Sequence, residues 1–191
     1  MAEDLVEPMQ AEEYKRKRLV LARIAAEEGR LALPGNENLC GEAIEKYLAV
    51  FRAAFNQNGK YTKYADTRIG YPWCCAFVYY CCLQAGFTFP PKPIPEHRWT
   101  LGAVPVWYDW AILPENDFYF PADDDRRHPE DGDIVLFSHL MEDKDLDHIG
   151  IAVSVGAKVL TTAEGNFHNR SGIFERPRAS NIKGFIRLDK F

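Results

Sequence analysis

Residues 70–78 read Gly70-Tyr71-Pro72-Trp73-Cys74-Cys75-Ala76-Phe77-Val78, and the rest of the chain is organised around them. Pro72 and Trp73 predict an extended approach, whereas from Cys74 onward apolar residues recur every three or four positions, the spacing of one helix face. Gly86 is a natural end for this helix. We expect Cys74 at the helix N-terminus, where unpaired N–H groups and the positive end of the helix dipole stabilise a thiolate and a developing oxyanion. Cys74 is therefore the predicted nucleophile.

Length and composition indicate a single domain, residues 1–191. The chain has 191 residues, of which 47% are hydrophobic, enough for one well-formed core. The net charge of -5 is evenly spread, without a basic cluster suited to nucleic acid or an anionic membrane. The acidic N-terminus lacks the apolar segment of a secretory signal. We therefore expect synthesis in the cytoplasm without a signal peptide, and no nucleic-acid or membrane partner.

The cysteine pattern argues against disulfides and against a metal centre. Four of the five cysteines form two adjacent pairs, Cys74-Cys75 and Cys81-Cys82. Neighbours on a helix point about 100° apart and are poor disulfide partners. The two-residue spacing of a structural zinc site is also missing. We expect reduced thiols, no metal and no cofactor.

Periodicity changes along the chain from helical to strand-like. Residues 1–16 are expected to be a frayed N-terminal extension, although helical spacing begins near residue 11. Helices are predicted over residues 11–29, 39–55 and 74–85, with a short helix near 99–112 that Pro105 weakens. After Gly132 the period becomes two, which predicts strands over residues 133–137, 148–155, 158–164, 172–176 and 183–188. Helices followed by an antiparallel sheet make an α+β fold.

Aromatic residues are concentrated between residues 99 and 120. Two interpretations remain open for them. They line a substrate groove, in which case Trp107 and also Trp73 are the predicted substrate contacts, or they cap the hydrophobic core.

His148 is the best candidate for the catalytic base among five histidines. It begins a predicted strand in which Ile149 and Ile151 share one face, while His148 shares the other with small residues. A face of small residues leaves room for a helix N-terminus to pack closely. We therefore expect His148 to face Cys74. The alternative is a hydrogen-bonded surface histidine at the start of a strand.

The hairpin that follows predicts a partner for this imidazole. With a three-residue loop at 155–157, His148 lies opposite Glu164; with a loop at 156–158, it lies opposite Asn166 and Glu164 is one pair along. A two-residue loop would place Glu164 on the wrong face. In the first two registers a carboxylate and an amide can hold a catalytic histidine in the required tautomer. The alternative is that Glu164, next to Gly165, belongs only to a turn.

Taken in order, these residues resemble the CHAP family, cysteine- and histidine-dependent amidohydrolases and peptidases with a papain-like fold. The matching segments are Pro72-Trp73-Cys74 with Ala76-Phe77-Val78, Pro129 to Phe137, Asp147-His148-Ile149-Gly150-Ile151, Glu164-Gly165-Asn166 and Gly184-Phe185-Ile186-Arg187. The resemblance implies Cys74 as nucleophile, His148 as base and then acid, and Glu164 with Asn166 as orienting residues. Cys75 stands where a small residue is expected, which leaves open whether it contributes to the site.

The resemblance also implies a function. The expected reaction is hydrolysis of an amide in bacterial peptidoglycan, within the stem peptide or cross-bridge or between glycan and peptide, through a thioester. This would suit an antibacterial secretion-system effector or a phage lysin that acts in the periplasm or cell wall, with a cognate inhibitor or immunity protein as a further partner. Two alternatives stay open: a papain-like hydrolase of a cytosolic isopeptide or acyl amide, and a catalytically inactive binding module.

Overall fold

Helices occupy the first half of the chain and strands the second in this computed structural model, which describes residues 3–56 and 62–189. The helices are α1 (Glu3–Arg30), α2 (Glu42–Asn56), α3 (Cys74–Gln84) and α4 (Val104–Ala111), with a 3₁₀ turn at Thr62–Ala65. The strands are β1 (Tyr119–Pro121), β2 (Ile134–Phe137), β3 (His148–Val155), β4 (Val159–Phe167), β5 (Arg170–Pro177) and β6 (Ile182–Ile186). The predicted α+β class is confirmed.

Two helical predictions need correction at their N-terminal ends. Residues 3–16 belong to α1, so the expected frayed extension is wrong for them; residues 1 and 2 lie outside the described residues. Once a helix is nucleated, each further good helix former adds a backbone hydrogen bond, and most residues of this segment are good helix formers, among them four glutamates. The helix predicted near 99–112 begins only at Val104, which places Pro105 in the first turn, where its missing N–H is tolerated.

The strands form one antiparallel sheet in the order β1-β6-β2-β3-β4-β5. Its main core lies on the helical face, where Ile134, Ile149 and Ala163 pack with side chains of α2 and α3. The opposite face carries a smaller cluster that includes Phe120, Val135 and Ala152. β1 was missed because three residues ending in proline are too short to show a period of two.

Helix α3 is the central element of the main core. Residues 74–79 and the pair Cys81 and Cys82 are all buried. The helix contacts α1 and α2 as well as β3 and β4. A helix that is apolar on all sides is expected to be enclosed in this way. Its N-terminal residue, Cys74, is thereby held at the edge of the sheet where β3 begins.

A β-bulge sets the register of the β3–β4 hairpin. Gly156 N–H donates to Val159 O at 2.9 Å, so the chain turns within two residues. That register alone would put Glu164 opposite Ile151, on the core face. The register instead shifts between Ala152 and Ser154, and beyond the shift Ile151 pairs with Ala163. The extra residue in β3 therefore returns Glu164 to the face of His148. Without the bulge, the two-residue turn would have placed Glu164 on the opposite face.

The predicted packing of the helix on the small-residue face of β3 is wrong. Helix α3 shares its core with Ile149 and Ile151, on the other face. The close approach of the helix occurs at Gly165 of β4, where a Cβ atom would lie 2.3 Å from Phe77 Cβ. Gly150 has a different use, because a Cβ there would lie 2.7 Å from Glu164 Cγ. The missing side chain at residue 150 makes room for the Glu164 carboxylate.

Membrane insertion through a helix finds no support in the described ranges. None of the helices there is long and apolar enough to cross a bilayer. The longest helix, α1, is densely charged.

Candidate active site

Cys74 is the first residue of α3, as predicted. Trp73 precedes it and provides no side-chain cap. The first N–H of the helix with a backbone acceptor among the described residues is that of Phe77, which donates to Trp73 O at 3.0 Å. The Cys75 N–H is directed at the Cys74 sulfur. The remaining N–H groups of the first turn are therefore available to an anion that forms beside the sulfur.

His148 connects this sulfur to a buried carboxylate. The ring, 2% exposed, lies with Nε2 at 2.9 Å from Glu164 Oε2. This contact leaves Nδ1 for the Cys74 sulfur, whose interaction with the imidazole contributes to raising the pKa of His148. Phe137 and Phe167 flank the ring, with centroids 5.9 and 5.8 Å away. The structure thus brings Cys74, His148 and Glu164 together in one chain of contacts.

The carboxylate of Glu164 is completely buried and has partners on both sides. Arg176 of β5 binds it through two parallel contacts, Nε to Oε1 at 2.9 Å and Nη2 to Oε2 at 2.7 Å. The hydroxyl of Thr162 donates to Oε1. Arg176 was not predicted from the sequence. Its signal was strand alternation, because β4–β5 pairing places it on the face of Glu164, opposite Leu160.

Asn166 does not take the predicted orienting role in this structure. Within the described part of the chain its side chain forms no hydrogen bond with His148. Its backbone adopts a left-handed conformation with φ of 60°, where β4 departs from regular pairing with β5. Asparagine tolerates that conformation better than most residues. Among the described residues, it is the Glu164 carboxylate that accepts a hydrogen bond from the imidazole.

The contacts shift the pKa of each of the three groups toward its charged form. A hydrogen bond from the Cys75 thiol, followed by those of His148, holds the pKa of Cys74 well below its ordinary value despite burial. Burial would lower the pKa of His148, but its bonds to Cys74 and Glu164 outweigh this and raise it to about 9. Burial would raise the pKa of Glu164, yet His148 and Arg176 keep it below its ordinary value. The favoured state is thiolate, imidazolium and carboxylate.

The surroundings of Cys75 favour the protonated form of its thiol. Its thiol is buried, and burial together with the neighbouring Cys74 sulfur raises its pKa well above the ordinary value. It therefore stays protonated and can donate to the Cys74 thiolate. All five cysteines carry free, buried thiols.

Trp73 and Trp107, the predicted substrate contacts, are buried in the core and do not face the groove. Both side chains are 0% exposed. Trp73 stacks on Tyr47, and the Trp107 indole donates to Leu101 O at 2.7 Å, so both are core residues. Trp99, in contrast, is 45% exposed and lines the groove over Cys74. Aromatic identity alone did not distinguish the exposed tryptophan from the buried ones.

The groove has a volume of about 1010 Å³ and reaches Cys74 and Cys75 at its floor. One wall is the proline-rich segment 90–99, with Lys92, Arg98 and Trp99; another is the loop at 144–147. Neither Lys92 nor Arg98 forms an ion pair with any described residue. In the opposite loop Asp145 pairs with Lys183, and Asp147 accepts two backbone N–H bonds through Oδ2, whereas its buried Oδ1 has no hydrogen-bond partner among the described residues. The groove therefore presents cations beside an exposed aromatic ring.

No group of three metal-ligating side chains occurs among the residues that the structure describes. The chemistry available at this site is that of the thiol, the imidazole and the carboxylate.

Comparison with known proteins adds one finding. The family model described as the CHAP domain matches residues 66–166, slightly more than half of the chain. The matched region includes Cys74, His148 and Glu164, and Arg176 lies beyond it. Neither the curated proteins nor the solved structures contain a significant match.

Proposed function

This chain belongs to the CHAP domain family, and on that premise we propose that it is a cysteine-dependent amide hydrolase that cleaves bacterial peptidoglycan. CHAP domains are typically amidases or peptidases. The observation that carries the proposal is the buried contact chain from Cys74 through His148 to Glu164, with the sulfur at the floor of an open groove. A binding module would have no use for all three groups in this order.

The geometry supports a two-step reaction. The Cys74 thiolate attacks the amide carbonyl carbon, and N–H groups of the first turn of α3 bind the resulting oxyanion. The His148 imidazolium then donates a proton to the departing amine, which leaves a thioester on Cys74. His148, now neutral, accepts a proton from water as it attacks the thioester, and the acid product leaves. Glu164 keeps the imidazole oriented and stabilises its charged form.

The groove supports a peptide substrate with negative charge. Stem peptides of peptidoglycan carry free carboxylates, and Lys92 and Arg98 offer cations without ion-pair partners in the described residues. Trp99 provides an exposed flat surface for an apolar face of the substrate. Because the substrate lies in the periplasm or cell wall, the proposal includes delivery by a secretion system or a phage, and an inhibitor that protects the producing cell.

The test is mass spectrometry of muropeptides released from purified sacculi by wild type, Cys74→Ala and Cys75→Ala. We expect cleavage by wild type and Cys75→Ala and none by Cys74→Ala, and the product masses then identify the bond. Intact sacculi with all three proteins would contradict the substrate assignment. If Cys74 of that same preparation still alkylates rapidly with iodoacetamide, the hydrolase of a cytosolic amide becomes the better proposal.

A further inference from the structure

Arg176 occupies an unusual position for an arginine. It is mostly buried, and its guanidinium lies over the rings of Phe167 and Phe174, with centroid distances of 4.2 and 5.0 Å. Both of its contacts with Glu164 are short and parallel. An arginine held between aromatic rings and a carboxylate has a fixed place and a permanent charge.

The charges of the site alternate along the contact chain. In the attacking state Cys74 is negative, His148 positive, Glu164 negative and Arg176 positive. Without Arg176 the same chain would carry a net charge of -1 in a buried environment, which is unfavourable. The groups that titrate and face this chain are Cys74 and Cys75 from α3, His148 from β3 and Glu164 from β4. From β2 the facing side chain is the apolar Phe137.

We propose that Arg176 is a positioning residue of the active site, whose guanidinium makes the buried chain of Cys74, His148 and Glu164 electrically neutral in its attacking state. It acts through Glu164 and does not touch the substrate. This inference rests on the proposed function in taking Cys74 as the nucleophile, but it does not depend on the identity of the substrate.

The proposal has a direct consequence for proton binding. Removing a buried positive charge makes every nearby proton bind more tightly. Cys74 would then lose its proton only at higher pH, and His148 would keep its proton to higher pH. The whole pH range of the reactive state should therefore move upward, whereas a residue that only supports the fold would change stability and leave this range in place.

The experiment measures the rate of Cys74 alkylation by iodoacetamide between pH 4 and 10, located by peptide mass spectrometry, in wild type, Arg176→Met and Arg176→Lys. We expect half-maximal alkylation of Arg176→Met to move upward by about one pH unit, so that alkylation on the acid side slows about tenfold. Arg176→Lys keeps the charge and should stay near the wild-type profile. Arg178→Met removes a neighbouring arginine outside the site and serves as the matched control.

Two results would overturn the proposal: a wild-type profile in Arg176→Met, or an upward shift in folded Arg176→Lys as large as that in Arg176→Met. Circular dichroism establishes that each variant is folded. If Arg176→Met does not fold, Arg176→Gln takes its place, because it removes the charge but keeps amide donors for Glu164: an upward shift supports the charge role and an unshifted profile contradicts it. Because the readout needs no substrate, failure of the peptidoglycan assignment would leave this result unchanged.

Discussion

Two carboxylates, Asp133 and Glu164, are completely buried in this molecule, and their surroundings differ in one decisive respect. Asp133 binds Arg187 through Nε at 3.0 Å and Nη2 at 2.7 Å, and it lies 3.4 Å from Arg18 Nη1. Its charged partners are thus permanent cations. Glu164 has one permanent cation, Arg176, and one partner that can change its protonation, His148. Both carboxylates are neutralised, but only the second can take part in proton transfer.

The Asp133 cluster serves to hold elements together. Arg18 extends from α1, Asp133 precedes β2 and Arg187 follows β6. At Gly132 the backbone adopts φ of +90°, and a Cβ atom would lie 2.1 Å from Arg18 O, so only glycine allows helix and strand entry to approach this closely. Burial of a carboxylate is therefore not itself a sign of catalysis. Whether its partner can change protonation determines whether the carboxylate can assist proton transfer.

The strongest test of this contrast exchanges each carboxylate for its amide. Glu164→Gln should lower kcat/KM by roughly 10³- to 10⁴-fold, because the amide no longer stabilises the imidazolium. Asp133→Asn should lower the free energy of unfolding by about 3 kcal/mol, since it removes the buried carboxylate between Arg18 and Arg187 and leaves them only the exposed carboxylates of Glu130 and Asp189, yet keep kcat/KM within about threefold in the folded protein. Urea unfolding and steady-state kinetics measure the two effects. If Glu164→Gln and Asp133→Asn lose activity equally, the proposed difference between the two carboxylates is wrong.

A second contrast concerns Trp99, which is exposed in the groove, and Trp107, which is buried in the core. Trp99→Ala should raise KM about tenfold with little change in the free energy of unfolding, because it removes an exposed face of the groove. Trp107→Ala should instead destabilise the fold by about 3–5 kcal/mol, because it leaves a cavity in the core. Kinetics and thermal unfolding of the two variants provide the measurement. An unchanged KM in Trp99→Ala would remove this ring from the substrate path.

The pH dependence of kcat/KM is a further test of the difference between the Asp133 cluster and the site around Glu164. In the proposed mechanism the imidazolium protonates the leaving amine, so activity should fall as pH rises past about 9, the value to which the pKa of His148 is raised. On the acid side activity should fall where the Cys74 thiolate becomes protonated. Arg187→Met should show both limbs at the wild-type positions, because its charge belongs to the other cluster. If either limb of the pH profile moves in Arg187→Met, the charges of the Asp133 cluster influence the pKa values of Cys74 or His148.

The smallest effect is expected from the neutral donor Cys75. Cys75→Ala removes a hydrogen bond to the Cys74 thiolate, so the pKa of Cys74 should rise and alkylation on the acid side should slow about fivefold, as the loss of roughly 1 kcal/mol predicts. Cys75→Ser keeps a donor and should recover most of the rate. A wild-type alkylation profile in Cys75→Ala would show that the second thiol does not stabilise the thiolate.

Cys74 and His148 could be proposed as site residues from the sequence because their chemistry leaves a local trace. Cys74 follows Pro72-Trp73 at the start of an apolar periodicity, and His148 begins a strand. Arg176 left no such trace, since its role depends on pairing between β4 and β5 and on three aromatic rings from separate segments. For the aromatic segment the sequence left substrate contact and core capping open, and the burial of Trp107 agrees with core capping. Burial of Trp73 depends on its stacking against Tyr47 of α2, which the sequence does not show.

The bulge near Val153 has a consequence for deletions and insertions in this hairpin. In a strand, each residue removed reverses which way all later side chains point, so odd and even changes of length are not equivalent. Val153 is the residue that the regular ladder skips. Deleting it should convert the hairpin into an unbroken ladder and leave His148 and Glu164 in phase, whereas deleting Gly150 or Ile151 should invert one relative to the other. We therefore expect the contact between His148 and Glu164 to survive deletion of Val153 but not deletion of Gly150 or Ile151.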